Sequence, residues 1–268
     1  MLKHQQGIST LIIFVLLCLP INTLAQQKKQ KVKGGAESES KQKTFVTAGI
    51  DASFMIPSDF GSRIAVSYKD TLFKLVPQLR FKLGMCVRTD FSKRFSFQTG
   101  IYYVERVYEG RVGKANQVGD DFQSLFFSNQ IKYTGFEIPL MGLFYVQLGE
   151  RWFLNNLVGL SLEFFPSATQ KLSPDSTVQY DIYAARNSWI VPAAKAAVGF
   201  EYRSETAGYF YLGGQFHRPF FNIFDGYIEG RLDSPFATQT AKLPATGTYF
   251  SVDLKYFFPT GKKNKFLD

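Results

Sequence analysis

From Phe250 to Phe258 every second residue is large and apolar: Phe250, Val252, Leu254, Tyr256 and Phe258. The residues between them are Ser251, Asp253, Lys255 and Phe257. Side chains of a strand point alternately to its two faces, so this stretch reads as a strand with one greasy face and one largely ionic face. In a soluble sandwich the greasy face is core. In a barrel that crosses a membrane it meets lipid, and the ionic face looks into the lumen. The glycine-led aromatic alternation from Gly247 to Phe258 is also similar to the signal read by the barrel-assembly machinery, although residues 259–268 follow it here.

Seven earlier stretches share the period: 44–56, 76–87, 95–103, 131–147, 152–164, 189–202 and 209–217. The joins after the second, fourth and sixth are tight (88–93, 148–151 and 203–208). Those after the first, third, fifth and seventh are long (57–75, 105–130, 166–188 and 218–246). Compact domains favour short connections throughout, whereas alternation of short and long is what an outer-membrane barrel produces. The pattern therefore predicts an all-β fold. It is an eight-stranded antiparallel up-and-down transmembrane β-barrel with short periplasmic turns, long external loops and both termini in the periplasm. A soluble lipocalin-type barrel has the same period, but its greasy face must point inward. Pro77, Pro139 and Pro192 fall inside predicted strands, where a missing donor calls for a bulge or a shifted boundary.

Composition agrees. Phe, Tyr and Trp make up 16% of the 268 residues, yet mean hydropathy is only -0.09. Many rings on a chain of neutral average suit alternating strands better than spanning helices. At the start, Lys3 and His4 precede an apolar run at 11–19, and Thr23, Leu24 and Ala25 offer a cleavage site before Gln26. The run is short of the roughly 18–20 residues a spanning helix needs, so it reads as a secretory signal. The expected organisation is a signal peptide at 1–25, a disordered basic periplasmic leader at 26–43, the barrel at 44–258 and a basic tail at 259–268. The destination is the outer membrane of a Gram-negative bacterium.

The net charge of +9 sits mostly on the ends. The leader carries Lys28, Lys29, Lys31, Lys33, Lys41 and Lys43 against Glu37 and Glu39, and the tail carries Lys262, Lys263 and Lys265 against Asp268. A near-neutral barrel between them offers no basic face for nucleic acid. Losing residues 1–25 removes Cys18 and His4, leaving Cys86 and His217 as the only residues of their kinds. That excludes an intrachain disulfide and is a poor donor set for a transition metal. His217 is expected at the rim without catalytic work, since nothing in the sequence requires a serine to meet it. No phosphate-binding glycine loop or calcium loop occurs. No cofactor and no catalytic site are expected.

Register places Asp51, Glu137, Glu163, Glu201 and Asp253 in the lumen with Arg80, Lys82, Arg88, Lys195 and Lys255. An eight-stranded barrel is just wide enough for side chains to fill, so the balance predicts a salt-bridged plug. Phe220, Phe221, Ile223, Phe224 and Tyr227 enrich the last long join, and residues 122–127 do the same in the second. Exposed apolar patches mark contact surfaces, which makes the first set a candidate partner-contact loop; a lid or an interfacial belt would use the same residues.

Residues 133–145, Y-T-G-F-E-I-P-L-M-G-L-F-Y, carry Phe136, Glu137, Ile138, Pro139 and Leu140 at the head of a central strand, and Gly159 to Phe164 read G-L-S-L-E-F. In these motifs, and in the export signal ending in Leu-Ala-Gln, the chain resembles the PorT-like family of outer-membrane barrels over about residues 44–258. The resemblance implies an eight-stranded barrel, a shared proline at position 139, and a founding member that serves type IX secretion. The expected role is a non-enzymatic scaffold or interaction module, an accessory of a secretion or envelope complex. Its expected partners are outer-membrane lipid, other envelope proteins and, during biogenesis, the barrel-assembly machinery. A small-solute or lipid-binding channel and a surface lipid-modifying enzyme are the competing classes.

Overall fold

Two-residue alternation continues far enough in this chain to carry eight strands around a closed ring. The computed structural model describes residues 44–58, 65–68, 70–116, 121–166, 169–172, 180–204, 206–231 and 238–260. The expected signal peptide and leader, and all but two residues of the expected tail, lie outside the described residues.

The ring strands are β1 (Phe45–Pro57), β4 (Arg80–Asp90), β5 (Phe95–Ala115), β6 (Phe122–Gln147), β7 (Trp152–Phe164), β10 (Ile190–Ser204), β11 (Gly208–Pro219) and β14 (Tyr249–Phe257). Each pairs antiparallel with the next, and β14 returns to β1. Closure leaves every ring strand with a neighbour on both sides. This satisfies the backbone where no water can, and so permits strands to cross hydrocarbon. The outward residues are apolar and open: Ile50, Phe81, Ile101, Leu140, Val158 and Leu254 are all exposed. Rings crowd the band's two margins. Trp152 lies against Tyr202, and Tyr256 against Phe258, at the end with the short turns; Phe164 meets Trp189 towards the other.

The three prolines are accommodated without a bulge. Pro77 and Pro192 sit where only one neighbour is laddered, opposite Tyr108 and Leu162 respectively. Pro139 pairs with Ser161 on β7, while on its other side the β5–β6 ladder skips the pairs between Thr99–Leu140 and Tyr102–Glu137 and resumes in the same register. The first short turn begins later than expected, because β4 runs on to Asp90.

Among the described residues, the four long connections carry strands of their own. β2 (Ala65–Tyr68) and β3 (Thr71–Gln78) form a hairpin on the upper part of β5, and β5 and β6 run on past the ring as a pair. β8 (Thr169–Leu172), β9 (Tyr180–Arg186), β12 (Phe224–Arg231) and β13 (Thr238–Ala245) make a separate four-stranded sheet in the order β13-β12-β9-β8. Between these layers lies an apolar core of wholly buried side chains that includes Phe73, Leu75, Val112, Ile131, Ile182 and Ile228. We refer to this region as the cap. Tyr133 joins it to the ring, packing on Phe165 and Phe224.

Candidate functional site

The lumen is the site that the ring builds. Its inward positions bury six carboxylates (Asp51, Asp90, Glu137, Glu163, Glu201 and Asp253) and six cations (Lys82, Arg88, Arg106, Lys195, Arg203 and Lys255). Buried charge is tolerable only when paired and hydrogen-bonded, and the pairing falls into three layers.

Nearest the short turns, Arg88 donates from Nη1 to Glu201 at 2.8 Å and lies 3.2 Å from Asp90 through Nε. Arg203 donates to the same Glu201, as does the Asn155 amide at 2.7 Å. Four rings close around the two guanidiniums: Tyr145 and Tyr209 flank both, Phe257 covers Arg88 and Phe153 covers Arg203. In the middle layer Lys255 stands 3.7 Å from Asp51, Ser53 donates to Asp51 at 3.0 Å, and Ser251 donates to Asp253 at 2.6 Å. Tyr102 lies across Gly84 and Gly100, and Tyr211 across Gly199 and Gly213. A Cβ on any of these glycines would collide with a ring or with the neighbouring strand, so at these four positions rings fill the lumen where the wall is bare.

The top layer sits under the cap. Lys195 donates to Glu137, which also accepts from the Tyr249 hydroxyl at 3.2 Å, and Arg106 donates to Glu163. His217 stacks on Tyr249 with ring centroids 4.5 Å apart, and its Nε2 is 3.2 Å from Glu163.

Of the residues expected in the lumen, Asp51, Lys82, Arg88, Glu137, Glu163, Lys195, Glu201, Asp253 and Lys255 are buried inside the ring. Arg80 is a correction. Its side chain is about one-third exposed and pairs with Glu105 at 3.7 Å. The reason is local: Met55–Arg80 is the last rung of the β1–β4 ladder, so the wall beside Arg80 ends there. His217 is a second correction, being wholly buried rather than at a rim. Asp90, Arg106 and Arg203 were missed because they fell in stretches read as turn or loop. Arg106 shares its parity with Tyr102, so extending the third run by three residues would have found it.

The candidate contact loop divides. Phe220 and Phe221 are exposed at 55% and 67%, but Ile223 and Phe224 are wholly buried, which removes them from any contact surface. Gly247, at φ 73°, turns the chain so that Ile223 donates its N–H to Ala245, and Phe224 then packs edge-on against Tyr108. Tyr227 is half-buried and stacks on Tyr183 at 5.0 Å. In the other ring-rich stretch Leu125 and Phe126 are exposed, while Phe127 packs on Tyr180.

Glu137, Glu163 and His217 bring one ligand atom each within 4.8 Å of one another. One histidine with two carboxylates is a donor set that a divalent metal accepts. Here Lys195 and Arg106 already hold those carboxylates, so a metal would have to displace two buried cations.

No family model matches the chain, and no curated protein matches it in sequence. Among solved structures it is similar to the outer membrane protein OprG from Pseudomonas aeruginosa, at 9% identity and a TM-score of 0.49 over 80% of this chain and 95% of that one. It is also similar to the outer membrane protein AlkL, at 12% identity and a TM-score of 0.39 over 88% of this chain and 100% of that one. A third likeness is the β-domain of the Bordetella autotransporter BrkA, at 11% identity and a TM-score of 0.28 over 80% and 99%.

Proposed function

We propose that this chain is an integral outer-membrane β-barrel, non-enzymatic and closed to solutes, whose working surface is the cap. The short turns and both termini face the periplasm and the cap faces outward. The observation that carries the reading is the filled lumen: twelve buried charges, ten of them in ion pairs, are packed with rings beneath an apolar core. Lipid surrounds the band, and the role is that of a scaffold or interaction module within an envelope complex. The resemblance to PorT-like barrels supports a type IX-like secretion accessory. The near-neutral barrel favours no nucleic-acid partner.

Planar-bilayer recording tests the closed state. Purified protein is expected to insert without conductance steps, and stepwise conductance would overturn the reading in favour of a small-solute channel. Orientation is tested by labelling Ser124→Cys and Lys93→Cys with an impermeant maleimide on intact cells; Cys86 is buried. The first is expected to label directly and the second only after the outer membrane is permeabilised. The reverse order would invert the proposed topology.

A further inference from the structure

A pocket opens through the side of the molecule where ring and cap meet. Its apolar walls include Met55, Pro57 and Pro77, and its polar walls Arg80, Glu105 and Arg106. Its enclosed room is small, about 20 Å³, and it is partly open to solvent. It exists because β1 ends at Pro57 while β3 continues along β5 without pairing to β1, which leaves a gap in the wall.

Two arginines line it with donors to spare. Arg106 is buried and spends Nη2 on Glu163, but its Nε and Nη1 have no hydrogen-bond partner among the described residues. Arg80 donates Nη1 to the Leu79 carbonyl, and its Nε, 3.7 Å from Glu105, makes no hydrogen bond among the described residues. The one carboxylate on the wall, Glu105, is already held by Lys132 at 2.6 Å. Arginine presents its N–H groups in a rigid fork matched to phosphate and carboxylate oxygens. Just outside the gap, Phe54, Ile56, Leu79 and Phe81 are exposed on the apolar band.

We infer that this side pocket binds one phosphate group between Arg80 and Arg106, either the headgroup of a lipid whose tail lies along the band or a free phosphate. The site opens sideways from the top layer of the lumen, with which it shares Arg106, and does not depend on whether the barrel conducts.

The test uses the full chain in a neutral maltoside micelle, titrated in parallel with dodecyl phosphate and inorganic phosphate and followed by phosphorus NMR. Saturable binding is expected for dodecyl phosphate. Arg80→Gln is expected to weaken it about tenfold, the usual effect of losing a charge-assisted hydrogen bond. Arg106→Lys, which keeps a cation for Glu163, is expected to weaken it similarly. Lys242→Gln, in the cap and away from the pocket, should leave it unchanged. Binding of dodecyl phosphate alone assigns a lipid headgroup, and equal binding of both probes assigns a free phosphate. Absence of saturable binding, an Arg80→Gln affinity equal to wild type, or an equal loss in Lys242→Gln would overturn the inference. Because Arg80 is a partly exposed residue outside the buried network, its variant keeps the test decisive if Arg106→Lys fails to fold.

Discussion

The ring and the cap are made by the same strands and are packed in opposite senses. In the ring part of β5, Ile101 points out and is exposed while Gln98 points in and is buried. A few residues along the same strand, Tyr108 and Val112 are in the cap core. Burial therefore follows the solvent rather than the residue type. Against lipid, apolar surface gains nothing by turning inward, and the closed ladder of backbone hydrogen bonds holds the wall. Against water, the apolar side chains must bury themselves and do so. Arg106, Glu163 and His217 stand at the changeover.

The contrast is broken most severely at the ring's charges. Lys195→Met leaves Glu137 buried without its cation, and removing one partner of a buried pair costs about 3–5 kcal/mol. Adding Glu137→Leu should restore most of that loss, since a well-packed apolar pair is often no worse than the ion pair. Chemical denaturation in micelles, followed by the mobility shift of the folded barrel on gels, reads both. A double variant no better than the single would sink the pairing.

The second test compares equal deletions. Ile228→Ala in the cap should open a cavity and cost about 2–5 kcal/mol. Leu254→Ala on the ring exterior should cost well under half as much, because acyl chains fill the space. Equal costs would mean that Leu254 does not face lipid. The third test inverts the exterior instead. Leu254→Arg at mid-height should cost about 2–4 kcal/mol, the figure for a charge on the lipid face near the midplane; a neutral result would contradict the proposed membrane placement.

The same contrast decides what could be read from residues alone. The ring was legible because each of its strands has one face in lipid and one in the lumen, so Phe250 to Phe258 alternates cleanly. The cap was not. Arg106, Val107 and Tyr108 are buried in succession, as are Leu72 and Phe73, because the strands there are covered on both faces and the period-two signal is lost. Stretches such as 105–130 therefore read as loops, and Ile223 and Phe224 as exposed rings. The lumen ions were legible by parity, but their partners were not. That Glu201 gathers Arg88, Arg203 and Asn155 depends on ring curvature, and so does the meeting of His217 with Glu163.

The smallest effect concerns the cap's outer face. The Tyr183 hydroxyl donates to Glu229 at 2.7 Å, and that carboxylate pushes the phenol's pKa up to about 12. A raised value means the hydrogen bond stabilises the fold fully below the free phenol's titration near 10 and is lost as pH rises through about 12. The side chain is half-exposed, so solvent screening keeps the contribution to at most about 1 kcal/mol. Subtracting the phenolate absorbance of Tyr183→Phe from that of wild type isolates one tyrosine. In sealed vesicles shed from the outer membrane, which keep its outer leaflet outside, it should titrate near 12 when base is added outside, and Glu229→Gln should return it towards 10. A difference curve that already titrates near 10 in the wild type would mean the bond does not form. One that responds only after the vesicles are opened would place this face of the cap on the wrong side of the membrane.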